Sequence, residues 1–119
     1  SGTMKFKNTS EGIVDYTNID DKPLVLVKYD CKVGDKYILT KSDGTRITRT
    51  VTAKSETDDY PWGFMLIKTI TVEQDSRIPG VEKIVYYANH KFGLVGVKFV
   101  FEDGTSSKAD LYSTNNVSK

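Results

Sequence analysis

The side chains able to do chemistry are few. The chain holds one histidine, His90, and one cysteine, Cys31. A general base or a metal ligand needs partners that converge on it, and zinc asks for four ligands, where this chain offers His90, Cys31 and carboxylates. His90 sits in "ANHKFG", where Asn89 and Gly93 tolerate left-handed backbone, so the stretch reads as the corner of a β-hairpin. Cys31 follows "VKYD" with no histidine beside it and no helix N-terminus to lower its pKa; it reads as a small buried hydrophobe, not a nucleophile. The acidic stretches "NIDDK" (18–22) and "ETDDY" (56–60) lack the alternating loop with a distal glutamate that calcium binding requires, and read as solvated loops. A carboxylate pair would suit glycoside hydrolysis, but 16 acidic residues supply such pairs by accident. A carboxylate-based hydrolase is therefore the weakest reading retained. Phosphate-cradling glycine loops, nucleophile elbows and dinucleotide fingerprints are missing from the sequence. Gly93 and Gly96 in "FGLVGV" lie within a strand-like run, where glycine marks a bend or bulge. The sequence thus assigns no catalytic residue, no metal ligand and no cofactor.

The aromatic residues are more informative. "DDYPWGF" brings Tyr60, Trp62 and Phe64 close together at a loop and strand start, while Tyr86, Tyr87 and Phe92 flank the later turn. If both groups fall at one rim, they form an aromatic lip over the concave face of a sheet. Such a lip binds apolar ligands, sugars or proteins, because an aromatic ring covers much surface at small entropic cost. The same rings can instead plug the end of the core. These six residues are the candidate ligand-binding set.

Strands must position them. "PLVLVKYD" (23–30) is apolar, "DKYILTKS" (35–42) alternates, and "DGT" at 43–45 signals a hairpin, since Asp-Gly supplies the positive φ such turns need. "RITRTVTAKSE" (46–56) places Ile47, Arg49, Val51 and Ala53 on one face. "FMLIKTITVEQ" (64–74) reads as one long strand, followed by "VEKIVYYAN" (81–89), "LVGVKFVFE" (94–102) and "TSSKADLYS" (105–113). Short turns between six or seven strands force antiparallel neighbours, because parallel ones need long crossovers. The expected fold is mostly β: an antiparallel meander forming a curved sheet, half-barrel or small barrel, with a two-layer sandwich as the alternative. Residues 1–22 are expected to be disordered or to add an edge strand, 23–113 to form a single β domain, and 114–119 to be a tail.

With 119 residues the chain has room for one core. Lys and Arg number 17 against 16 Asp and Glu, a net charge of +1. The basic residues alternate singly with apolar ones, unlike the basic patches of nucleic-acid binders. A lone cysteine permits no internal disulfide and leaves the compartment open. No apolar run approaches the roughly 18 residues of a membrane helix. The opening "SGTMKFKNTSEG" is polar, and a targeting segment is expected to be absent from this chain.

"KVGDKYILTKSDGT", with the later "GFMLIKTITVEQD", "IVYYANHKFGLVGVKFVFEDGTS" and "ADLYS", resembles a group of small uncharacterised envelope proteins, secreted or lipid-anchored, of Bacteroides-like bacteria. The layout is also similar to curved-sheet lipoprotein-carrier folds that cradle acyl chains. The resemblance spans about residues 29–113 and rests on strand and turn signals. It implies a location in the cell envelope (periplasm or outer surface) or secretion, and no activity. The expected function is a non-enzymatic envelope binding domain that holds an apolar small ligand or a protein partner on a curved sheet. The alternative is an assembly module, a homodimer through strand edges included, since open sheets leave unpaired backbone groups.

Overall fold

The computed structural model describes residues 6–16, 24–40, 44–76 and 78–111. Its strands are β1 (Phe6–Asn8), β2 (Gly12–Asp15), β3 (Leu24–Lys28), β4 (Lys36–Thr40), β5 (Arg46–Lys54), β6 (Tyr60–Trp62), β7 (Met65–Ile67), β8 (Ile70–Asp75), β9 (Val81–Asn89), β10 (Gly93–Phe101) and β11 (Ser106–Asp110). Among the described residues there is no helix, and hence none long and apolar enough to cross a membrane. The acidic stretch at 18–22 and the C-terminal tail lie outside the described residues.

Six strands form the main sheet in the order β11-β10-β9-β8-β5-β4, antiparallel throughout and not closed into a barrel. The mostly-β, antiparallel expectation therefore holds, and of the expected shapes the main sheet takes the open, curved one. A second sheet, β1-β2-β3, draws two of its strands from the first sixteen residues. The apolar segment around residues 24–28 joins this sheet and not the main one. The expected long strand at 64–74 is divided: β7 pairs back on β6 as a separate hairpin, and β8 enters the main sheet after a break at Lys68 and Thr69. Asn89 explains the break, because its side-chain amide donates to the Lys68 carbonyl (2.8 Å) and so occupies an acceptor outside any strand ladder.

Alternation decides which side chains meet. Val51, Val72, Ile84, Tyr86, Ala88, Leu94 and Val97 point from the main sheet toward Phe6, Ile13, Leu26 and Val27 of the second, making one apolar core. Several of these residues are wholly shut off from solvent, and each side chain so buried contributes roughly 1.5–3 kcal/mol. On β5 the predicted face holds for Ile47, Arg49 and Val51, but a bulge between Val51 and Ala53 turns Ala53 out to solvent. Another bulge between Leu94 and Gly96 inserts Val95, as glycine in a strand-like run suggested.

Arg49, read from sequence as one more member of that face, is 2% exposed. Its Nη2 donates to Asp15 Oδ2 of β2 (2.6 Å), its Nη1 to the Val25 carbonyl of β3 (3.0 Å), and its Nε to Gln74 Oε1 of β8 (2.7 Å). Gln74 also accepts from the Tyr86 hydroxyl at 3.3 Å, and the guanidinium lies 5.7 Å from the Tyr86 ring centre. The two sheets are thus clamped by a charge network set within an apolar layer. Removing one member leaves the other charge buried and unpaired, at a cost of about 3–5 kcal/mol. Arg49→Met is expected to lose that much in urea denaturation, and adding Asp15→Leu to recover a good part of it. Additive losses in the double variant would show that the two charges act independently.

Candidate functional site

The six predicted aromatics do not form one site. Tyr86 and Tyr87 are consecutive in a strand, so they point to opposite faces of the sheet. Tyr86 belongs to the main core, edge-on to Phe6 at 6.2 Å. Tyr87 projects from the other face, where the β6–β7 hairpin folds over it.

Four of the six do meet on that outer face. Tyr60 lies 5.2 Å from Tyr87 and Trp62 lies 4.6 Å from Phe92, ring centre to ring centre, around Ile67 and the fully buried Val95. Gly96 makes the approach possible: a Cβ there would fall 2.6 Å from the Tyr60 hydroxyl oxygen. Polar tips anchor the rings, with the Tyr60 hydroxyl donating to Asp110 Oδ1 (3.1 Å) and Trp62 Nε1 to the Leu111 carbonyl (2.9 Å). The Lys108 ammonium covers both tyrosines, 4.4 Å from the Tyr60 ring centre and 4.9 Å from that of Tyr87. The rings fill one another's space and form a second small core. Phe64 stands apart at the hairpin tip, fully exposed beside Gly63, which turns the chain at φ +64°. Met65 and Leu66 next to it are 49% and 56% exposed.

His90 occupies the β9–β10 corner, as predicted. Asn89 Oδ1 accepts from the backbone N–H groups of Lys91 (2.7 Å) and Phe92 (2.9 Å), which closes the turn. The corner also borders a cleft of about 500 Å³ that no local pattern of residues foretells. Lys54 and Ser55 reach it from the end of β5, Lys68 and Thr69 from the β7–β8 break, Tyr29 from the end of β3, and Ser10 from the β1–β2 turn. Ile70 and Ala88 of the main core form its floor. The Lys54 ammonium donates to the carbonyls of Tyr29 (3.0 Å) and Cys31 (2.8 Å). The Tyr29 hydroxyl donates to Asn8 Oδ1, and its ring meets that of His90 edge-on at 6.4 Å. These residues are scattered along the chain and each is an ordinary surface type, so no local motif announces them.

Cys31 is buried, and burial pushes its thiol up despite the opposing charge of Lys54. It is therefore held as the neutral, unreactive thiol. Among the described residues no three His, Cys, Asp or Glu side chains converge to hold a metal ion. Glu11 and Asp30 border a separate hollow, and both are solvent-exposed. Comparison with protein families, with curated proteins and with solved structures finds no match to this chain.

Two outcomes follow from this geometry. Gly96→Ala is expected to destabilise the protein by about 1–3 kcal/mol through overpacking, and Tyr60→Phe in the same chain to restore part of it by removing the colliding oxygen. Thermal melts of the three variants measure this, and no restoration would place the conflict elsewhere. The second outcome concerns pH. Burial pushes the Tyr29 phenol up to about 12, whereas an unfolded tyrosine ionises near about 10. Between those values the unfolded chain has released a proton that the folded chain keeps, so stability falls as pH rises across the interval. Burial pushes Tyr37, Tyr86 and Tyr87 up as well and adds to the fall. Denaturation at a series of alkaline pH values is expected to show a shallower decline in Tyr29→Phe than in the parent.

Proposed function

We propose that this chain is a non-enzymatic binding domain of the cell envelope that docks a protein partner through the tip of the β6–β7 hairpin. The observation that carries the reading is the fully exposed Phe64 ring, flanked by the half-exposed Met65 and Leu66, on a hairpin whose base is rigid. Solvent-facing apolar side chains at adjacent positions cost solubility, and on a braced turn they offer a ready anchor for an apolar socket. The bracing comes from Tyr60 and Trp62 through their hydrogen bonds to Asp110 and Leu111, so little order remains to be lost on binding. A protein partner is favoured over an apolar small ligand because the aromatic cluster is already filled by its own rings. The envelope setting rests on the resemblance drawn from the sequence.

Panning a displayed peptide library on the folded protein tests this reading. Selected peptides are expected to carry apolar anchors, and Phe64→Ser with Leu66→Ser to weaken them at least about tenfold. The melting temperature is expected to stay within about two degrees, since neither side chain belongs to a buried cluster. Peptides that bind parent and variant equally, or a library that yields no binders, would overturn it.

A further inference from the structure

A second and independent feature is the cleft beside His90. Its lining combines two lysines, Lys54 and Lys68, with His90 and the hydroxyls of Ser10 and Tyr29, and contains no carboxylate. In a chain with 17 basic and 16 acidic residues, a concave surface with this bias is a local departure from the mixed charge elsewhere. We infer that the cleft is a binding site for a small organic anion, a carboxylate or phosphate joined to a compact apolar body.

The two lysines present their charge differently. Lys54 is held, because two of its ammonium protons are committed to the Tyr29 and Cys31 carbonyls, leaving the third for a ligand. Lys68 makes no ion pair or side-chain hydrogen bond among the described residues. Its backbone is nevertheless rigid: its carbonyl accepts from Asn89, and next to it the Thr69 N–H donates to Ser55 Oγ (2.8 Å) while the Ser55 N–H donates to the Thr69 carbonyl (2.9 Å). An anion that reaches either ammonium group gains charge-assisted hydrogen bonds. Ile70, 7% exposed, closes one side of the cleft with the fully buried Ala88 behind it, and its exposed edge and the Tyr29 ring are the apolar surface offered to the ligand body. A volume of about 500 Å³ suits a small molecule and not a polymer.

The test is a titration followed through backbone amide resonances, with benzoate, phenyl phosphate and uncharged benzyl alcohol as probes. At least one anion is expected to give saturable shifts centred on Lys54, Lys68, Thr69, Asn89 and His90, with benzyl alcohol giving none. Lys68→Glu, which leaves every hydrogen bond named above intact, is expected to weaken the anion at least about tenfold. Saturation by phenyl phosphate alone identifies a phosphate site, and by benzoate alone a carboxylate site. The inference fails if neither anion saturates, if benzyl alcohol binds as well as the anions, or if Lys68→Glu leaves the affinity unchanged. None of these results touches the hairpin reading, whose residues lie elsewhere.

Discussion

Arg49 carries a full charge into the layer between the two sheets and finds a partner there from each of three strands: Asp15, the Val25 carbonyl and Gln74. Taking a guanidinium and a carboxylate out of water costs several kcal/mol per ion before their attraction is counted. The arrangement is tolerable because the hydrogen-bonding groups around it are satisfied; among the described residues no buried side-chain nitrogen or oxygen lacks a partner. What the network adds is direction. Apolar contacts between sheets are non-directional and would accept sliding of one layer over the other. A guanidinium that must reach Asp15 and Val25 at once defines where the small sheet sits on the large one.

Much of the fold is legible in the residues themselves. Alternation along β5, the turn residues near 89–93 and 103–104, and the apolar runs of β9 and β10 all announce an antiparallel sheet, and glycine within "FGLVGV" announces its bulge. What escapes is whatever depends on meetings between distant segments. Arg49 looks like any basic residue on a strand until Asp15 is brought to it. The break after Ile67 is set by Asn89, which nothing near Ile67 foretells. Tyr86 and Tyr87 are neighbours in sequence and so point apart, which separates two residues a count of nearby aromatics would combine. The cleft drew no attention because lysine, serine and histidine on separate turns carry no periodic signal.

Strands β9 and β10 are covered on both sides, by the second sheet on one and by the aromatic hairpin on the other. Their sequences show it. "IVYYAN" and "GLVGV" are nearly continuous apolar runs, as expected of strands with two buried faces and not of a half-exposed antiparallel sheet. The β11 edge of the main sheet is treated differently. Every side chain of β11 is exposed, with Lys108 and Asp110 among them, and such charged edges discourage pairing with another strand.

The hairpin rests on the sheet through Tyr60, Trp62 and Ile67, while residues 63–66 beyond them are exposed and belong to neither buried cluster. Folding therefore places almost no demand on what those positions contain, apart from a residue able to turn the chain at Gly63. The tip is free to drift in sequence or to accept inserted residues, while the frame that presents it stays the same. Such a scaffold can exchange one recognition loop for another without a new fold having to arise.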